Sequence, residues 1–148
     1  EYMQRWRATD NGLEGLALAH SDCPLLLDEL AQLDPKSAGE VAYMLGNGSG
    51  KTRAARTGTL RERSQWRVLF QSAGEIGLAD HMAEAGKRTK AGQEVRLCEI
   101  QADAGAGLGC FEDLHGRQNG AEFAKALDAA TRRVYGSVWL DYLRAVCA

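Results

Sequence analysis

The fold is decided by a short apolar run that ends in two acids, Cys23-Pro24-Leu25-Leu26-Leu27-Asp28-Glu29. A continuous apolar run of this length is typical of a strand covered on both faces of a parallel sheet. Ligands of open α/β sheets bind at the carboxyl ends of the strands, where this strand would present Asp28 and Glu29. We therefore expect an α/β fold with a candidate site at this edge. The alternative is that the two acids only open the connection after a core strand.

The segments around this strand alternate between short apolar runs and helical periods, as in α/β proteins. Residues 2–8 alternate as a half-exposed strand does, and Thr9 or Asp10 is placed to cap a following helix. The pair Asp34-Pro35 predicts the start of a second helix, which should end near Gly46.

A glycine-rich and then basic segment, 46–67, follows the second helix. It predicts a loop or a hairpin with Thr57-Gly58-Thr59 at its tip. Beyond it the patterns predict a buried strand at 68–72, a helix at 76–85, a strand at 94–100 and two tail helices, the second capped by Ser137.

The composition is that of a globular protein. The chain has 148 residues, 45% of them hydrophobic, and a formal net charge of −2, which by itself indicates no polyanionic partner. We expect one domain over 1–148, with a sheet-containing part at 1–120 and C-terminal helices at 121–148. No stretch approaches the roughly 20 apolar residues of a membrane span. The N-terminus lacks an apolar signal segment and reads as a cut end.

The four cysteines form neither a C-x-x-C pair nor a zinc-site spacing. Cys98, Cys110 and His115 could converge on a metal, but the spacing favours ordinary buried thiols. We therefore expect a reducing, cytoplasmic setting and no membrane.

One stretch looks like a phosphate-binding loop, Gly46-Asn47-Gly48-Ser49-Gly50-Lys51-Thr52. The motif G-x-x-x-x-G-K-[ST] needs a glycine five positions before Gly50, and that position is Leu45. The motif also needs a preceding strand and a following helix, whereas here a helix precedes and a basic loop follows. We therefore reject it as a Walker A loop, although Lys51 could reach a phosphate from another direction.

The order of these segments is more informative than any one of them. An acid-bearing strand, a helix, a basic segment and a strand ending in Gln71-Ser72 follow one another as in the second half of a P-loop ATPase. In such proteins the later strand lies beside the acid-bearing strand, and its terminal polar side chain senses the γ-phosphate. Ser72 or Gln71 would take that role; the alternative is a small polar residue at a strand exit.

Six motifs in order resemble an uncharacterised bacterial and phage family, a domain of unknown function with a P-loop in its C-terminal half. Its members are often described as superfamily II helicases or inactivated derivatives and occur with phage and plasmid primase-helicase genes. The resemblance covers about 6–115 and rests on Trp6–Glu14, Leu27–Glu29, Tyr43–Lys51, Ser72–Glu75, Ala91–Arg96 and Phe111–Gly116. Position 73 is alanine where the family pattern suggests threonine.

The resemblance implies a partial P-loop NTPase core of the RecA/AAA-like kind, with a mostly parallel sheet flanked by helices. The Walker A strand and loop would precede Trp6, so this chain would lack them and bind nucleotide weakly or not at all. In the intact protein, which would use ATP and Mg²⁺, Asp28 would hold the metal and Glu29 would activate water. Ser72 would sense phosphate.

Several arginines are candidates for further roles. Arg96, on the strand predicted at 94–100, could act as an arginine finger in a neighbouring subunit of a homo-oligomer, with Arg56 and Arg61 as other candidates. The alternative for Arg96 is a surface ion pair with Glu94. The basic segment would grip single-stranded DNA, or it is simply a solvated face. Its candidate DNA-binding residues are Lys51, Arg53, Arg56, Arg61 and Arg63.

These expectations combine into one hypothesis with one alternative. The chain would be part of an ATP-hydrolysing, helicase-like protein of phage or plasmid type that couples Mg-ATP hydrolysis to DNA handling, and this part alone would be inactive. The alternative is a non-enzymatic DNA-binding or assembly module, derived from an ATPase that has lost hydrolysis.

Overall fold

The computed structural model of the chain describes residues 2–53, 62–103 and 105–147. The chain forms two compact units, Glu1–Glu99 and Ile100–Ala148. The first unit is an α/β structure with a small parallel sheet and flanking helices. Within the described residues, no helix is both long and apolar enough to cross a membrane.

The sheet contains three parallel strands in the order β1-β2-β3, with the acid-bearing strand in the middle. Their bounds are β1 Gln4–Arg5, β2 Pro24–Asp28 and β3 Leu69–Ser72. The register pairs Arg5 with Asp28 and Leu27 with Ser72. The carboxyl ends of all three strands therefore meet at one edge.

Two helices connect the strands and pack on one face of the sheet. They are α1 Asp10–Ala19 and α2 Ala38–Asn47. Leu13 of α1 and Val41 of α2 share one buried cluster with Leu25 and Leu27 of β2. As expected, Thr9 caps α1, because its side chain accepts a hydrogen bond from Gly12 N–H.

Helix α2 begins later than the Asp34-Pro35 signal predicts, but it ends within one residue of the predicted end near Gly46. Residues 35–37 form a turn, in which Lys36 N–H donates to Asp34 Oδ1 at 2.9 Å, and the helix begins at Ala38. It ends at Asn47, where Gly48 takes the left-handed conformation with φ 70°. The Asp-Pro signal thus marks the turn before the helix.

The middle strand is not covered on both faces, contrary to the sequence-based prediction. Leu25 and Leu27 are fully buried, whereas Leu26, on the other face, is only half-buried. The strand predicted at 68–72 is confirmed as β3, but its predicted burial is wrong, because among the described residues β3 lies at the edge of the sheet and Leu69 is 80% exposed. The sheet therefore has one buried face and one exposed face.

The basic segment 46–67 has the base of a hairpin, as predicted. Ser49 and Gln65 form an antiparallel bridge, and Gly50 N–H donates to Ser64 O at 2.9 Å. The predicted tip at 57–59 lies outside the described residues.

The strand predicted at 94–100 is wrong. A short helix, α4 Ala91–Glu94, ends at the first residue of this segment, and a turn follows it. Helix α3, Leu78–Glu84, lies before α4 in the chain and matches the helix predicted at 76–85. The Gln93 side chain accepts a hydrogen bond from Lys90 N–H at 2.9 Å, which favours the helical turn. The Glu99 carboxylate accepts one from Leu78 N–H at 2.6 Å. These local partners replace strand pairing.

The second unit contains the two predicted tail helices, α5 Gly120–Thr131 and α6 Ser137–Val146. The Asn119 side chain caps α5 by accepting from Glu122 N–H at 2.9 Å. Between 100 and 119 the sequence is glycine-rich, and its described residues form no helix or strand. There the backbone N–H groups of Gly105 and Gly107 donate to the Asp103 carboxylate and lower its pKa.

Candidate functional site

The acid pair lies where β2 ends. Asp28 is the last residue of the strand and is half-buried, and its side chain makes no hydrogen bond or ion pair with the described residues. Glu29 follows with φ 62° and ψ 75°, a left-handed conformation that few non-glycine residues adopt. The chain therefore turns sharply at Glu29, and such strained positions are often found at functional sites.

Two backbone hydrogen bonds hold this turn against the neighbouring strand. Ala73 N–H donates to Leu27 O at 3.0 Å, and Leu30 N–H donates to Ala73 O at 3.2 Å. The exits of β2 and β3 are thus tied together just beyond the paired residues.

Ser72 is the last residue of β3 and lies beside the acid-bearing strand. Its register partner is Leu27, one residue before Asp28, so the Ser72 and Asp28 side chains project to opposite faces of the sheet. The Ser72 Oγ atom accepts a hydrogen bond from Trp6 Nε1–H at 2.9 Å. Its own hydroxyl hydrogen remains available to an anionic oxygen. Gln71, the other candidate, is exposed on the Asp28 face.

Trp6 is the residue of this edge to which the sequence assigned no role. It is fully buried, its ring contacts Phe70 edge-on at 6.4 Å between centroids, and its backbone N–H donates to Asp28 O at 3.1 Å. The indole thus connects the exits of all three strands. Its sequence signal is an aromatic residue at the inward position of an alternating strand.

The described members of the candidate DNA-binding set have partners within the chain. Lys51 Nζ lies 2.8 Å from Asp10 Oδ2, and Arg53 Nη2 lies 2.6 Å from the buried carboxylate of Glu14. Arg63 Nε–H donates to Gly50 O at 2.5 Å. The hydrogen bond that the Lys51 ammonium donates to the Asp10 carboxylate raises the pKa of Lys51 above its ordinary value of 10.5. Arg56 and Arg61 lie outside the described residues.

Arg96 follows α4 and packs against α2. Its guanidinium lies 4.3 Å from the centre of the Tyr43 ring, a cation–π contact, and its Nη1–H donates to Gly92 O at 2.8 Å. Gly46 permits this packing, because a Cβ there would lie 2.9 Å from the Arg96 Cβ. The alternative ion pair with Glu94 does not form, since the Glu94 carboxylate accepts from Thr89 Oγ1–H at 2.6 Å.

The cysteines are not buried, contrary to the expectation of buried thiols. All four are free and exposed. Among the described residues, no three His, Cys, Asp or Glu side chains come together as a metal-binding group. His115 is exposed, with its ring centre 5.3 Å from that of Phe123.

Asp28 fits a magnesium ligand by its chemistry. Mg²⁺ prefers oxygen ligands and is commonly held by one or two carboxylates together with the phosphates of a nucleotide and water. The Asp28 carboxylate is half-buried at a strand exit and has no partner among the described residues, so it could supply one such ligand.

Comparison with known proteins gives one likeness. The model of a family described as "Domain of unknown function (DUF927)" matches residues 1–65. This range contains β1, α1, β2, α2 and all but the last two residues of the basic segment, so the chain is similar to an uncharacterised family over the part that carries the acid pair. No curated protein and no solved structure matches the chain.

Proposed function

We propose that the chain is part of a helicase-like protein of phage or plasmid type that hydrolyses Mg-ATP and couples hydrolysis to the handling of single-stranded DNA. The observation that carries the proposal is the order β1-β2-β3, with Asp28 and Glu29 at the exit of the middle strand and Ser72 at the exit of its neighbour. In the second half of a P-loop ATPase, the strand that carries the phosphate-sensing residue likewise lies beside the acid-bearing strand.

Asp28, Glu29 and Ser72 would have three different roles at this edge. Magnesium-bound ATP would supply the phosphoryl group, and the Asp28 carboxylate would hold the metal. Glu29, turned out of the strand by its left-handed backbone, would orient water and accept its proton. Ser72, whose Oγ is already bound by Trp6, would donate its hydroxyl hydrogen to a phosphate oxygen.

The unpaired edge of β3 supports the proposal that a further strand joins this sheet. Among the described residues, β3 has a strand partner on one side only, and Leu69 at its start is 80% exposed. In a P-loop ATPase the strand before the Walker A loop lies in the middle of the sheet. A further parallel strand would pair with β3 along this edge and bring its phosphate-binding loop beside Ser72.

Arg96 would act in trans in a homo-oligomer only if its guanidinium left the Tyr43 ring and Gly92 O. The DNA-handling part of the proposal rests on the basic segment, whose base is fastened to α1 by Lys51 and Arg53. With the base attached in this way, the residues nearer the predicted tip would bind the phosphates of single-stranded DNA without recognising its base sequence.

The test of hydrolysis is ATP turnover by the longer protein whose reading frame carries G-x-x-x-x-G-K-[ST] after a strand. Glu29→Gln should lower kcat by about 10²-fold or more, because it removes the group that activates water. Glu40→Gln, which neutralises an exposed carboxylate of α2, is the matched control and should retain turnover. Equal turnover of the Glu29→Gln and wild-type proteins would contradict the role of Glu29.

The test of DNA handling separates the two hypotheses. Changing Arg56, Arg61 and Arg63 together to alanine should weaken single-strand binding and flatten its dependence on salt. An unchanged slope of affinity against salt would remove the basic segment from the proposal. A longer frame without the phosphate-loop motif, combined with DNA binding and no turnover, would favour the non-enzymatic module.

A further inference from the structure

A cavity of about 360 Å³ lies along β1, next to the acid pair. Its charged lining is Arg5, Arg7 and Asp28, and its apolar lining includes Met3, Ala8 and Leu16. The volume falls within the range of small-molecule sites, roughly 300–1,000 Å³. The cavity is thus large enough for one nucleotide unit or part of it.

The two arginines line the same cavity, one at the end of β1 and one just after it. Trp6, between them, is fully buried, whereas Arg5 and Arg7 are exposed. Arg5 is the register partner of Asp28 in β2, so these two side chains project from the same face of the sheet. The cavity therefore brings together two guanidinium groups and one carboxylate.

None of these three side chains has a hydrogen-bond or ion-pair partner among the described residues. In the same unit Lys51, Arg53 and Arg67 form ion pairs, whereas the exposed Arg88 has no such partner among the described residues, so what distinguishes Arg5 and Arg7 is the cavity that they line together. Two guanidinium groups that form no ion pair with the described residues and outnumber the one carboxylate of the cavity, beside an apolar side, have the chemistry of an anion site.

We propose that Arg5 and Arg7 bind a phosphate group of a nucleotide in this cavity, with the sugar or base against Met3, Ala8 and Leu16. A planar guanidinium binds phosphate oxygens in pairs, and two of them offset the repulsion from Asp28. The phosphate could belong to single-stranded DNA or to a free nucleotide. In its DNA form the inference rests on the DNA-handling part of the proposed function, but it requires no hydrolysis.

The test is direct binding to the 148-residue chain in EDTA, without ATP turnover. The probes are a fluorescein-labelled oligothymidine of about 15 nucleotides, followed by anisotropy, and ADP, followed by calorimetry. Whichever probe the wild-type chain binds, the double variant Arg5→Gln and Arg7→Gln should bind it with roughly tenfold lower affinity at about 50 mM salt. For the oligonucleotide, the slope of log affinity against log salt concentration is negative, and its magnitude should decrease by about 1.4, as expected for two lost phosphate contacts on a single strand.

The matched control is the double variant Arg88→Gln and Arg117→Gln, which removes the same charge from exposed arginines outside this cavity. It should change affinity less than about twofold. An equal loss in both double variants would overturn the proposal, because net charge alone would then explain binding. Retention of wild-type affinity by the Arg5 and Arg7 variant, or no binding of either probe by the wild-type chain, would also overturn it.

Asp28→Asn provides an independent readout in the same assay. Because Asp28 lines the cavity, its neutralisation in EDTA should tighten phosphate binding severalfold by removing repulsion of the anion. Weaker binding by a folded Asp28→Asn chain, with folding checked by circular dichroism, would contradict the proposal. The triple variant of Arg56, Arg61 and Arg63 tests the DNA-handling part of the proposed function, and Glu29→Gln tests hydrolysis, so the failure of either proposal is recognisable by itself.

Discussion

At the scale of single residues, Trp6 links the exits of the three strands. Its indole N–H donates to Ser72 Oγ and its backbone N–H donates to Asp28 O, while its ring fills the core beside Phe70. The Trp6 and Ser72 side chains are separated by 66 positions in the chain, and their hydrogen bond sets the orientation of the candidate phosphate-sensing hydroxyl. The geometry of this hydrogen bond depends on packing at the end of the sheet.

We predict a measurable coupling between Trp6 and Ser72. In a double-mutant cycle with Trp6→Phe and Ser72→Ala, the interaction energy in urea unfolding should be about 0.5–1.5 kcal/mol, because one partly buried hydrogen bond is lost. The control cycle combines Trp66→Phe with Ser72→Ala. Trp66 donates to Leu45 O instead, so this pair should be additive within about 0.5 kcal/mol. Additivity in both cycles would contradict the assigned role of Trp6.

The raised pKa of Lys51 predicts a pH dependence of stability. The folded chain holds the Lys51 proton more tightly than the unfolded chain, so the stabilisation is complete below 10.5 and is lost as pH rises through the raised pKa. The Lys51 side chain is 52% exposed, so the contribution should stay well under about 1 kcal/mol. Unfolding of Lys51→Gln and wild type should differ near neutral pH and converge in strong alkali. Lys125→Gln should show no such convergence.

At the scale of elements, the base of the basic segment is fastened to the first turns of α1. Arg53 binds the buried Glu14 carboxylate, and Arg53 Nη2 also donates to Asn11 Oδ1 at 2.6 Å. Gly50 lies so close to this helix that a Cβ there would be 1.9 Å from Glu14 Oε1. Absence of a side chain at position 50 therefore permits the ion pair, which supplies a structural reason for this glycine.

Gly50→Ala and Gly15→Ala should have opposite effects on stability. At position 50 the new methyl group collides with Glu14, so we expect a loss of roughly 1–3 kcal/mol and a lower Tm. Gly15 lies within α1 with nothing within 4 Å of its added Cβ, so alanine there should stabilise by about 0.5–1 kcal/mol. The measurement is thermal unfolding. A Tm for Gly50→Ala at or above the wild-type value would contradict the prediction, because the Glu14 side chain would then move away from the new methyl group at little cost in stability.

At the scale of the whole molecule, the core belongs to the first unit. Every buried side chain among the described residues lies between Trp6 and Gln93, and neither α5 nor α6 has a buried residue. On the exposed α6 helix, Trp139 is 61% exposed and its ring stacks on that of Tyr142. The first unit thus has the hydrophobic cluster that cooperative folding requires.

We predict that a chain ending at Glu99 folds by itself. Because its buried cluster is complete, it should show one cooperative thermal transition with a Tm within about 5 °C of that of the 148-residue chain. Circular dichroism at a helix wavelength measures it. A broad, non-cooperative transition would show that residues 100–148 are needed for the first unit to fold.

Local signals predicted much of the first unit correctly. Thr9 caps α1, the apolar run at 24–28 forms a strand that ends in Asp28, and the hairpin base forms within the basic segment. These features depend on neighbours a few residues apart, through cap hydrogen bonds, side-chain period and turn residues, so they can be read along the chain. The pairing of β3 with the acid-bearing strand was also expected, from the order of the segments along the chain.

The sequence by itself determined the α/β class and the position of the acid pair at the end of a strand. Only the tertiary structure decided that 94–100 is not a strand, because Gln93 is buried against Gly39 and Glu99 bonds to the start of α3. It also decided that the sheet has one exposed face and that Arg5 shares it with Asp28. The physical reason is that burial and charge pairing depend on residues far apart in the chain, which no local pattern brings together.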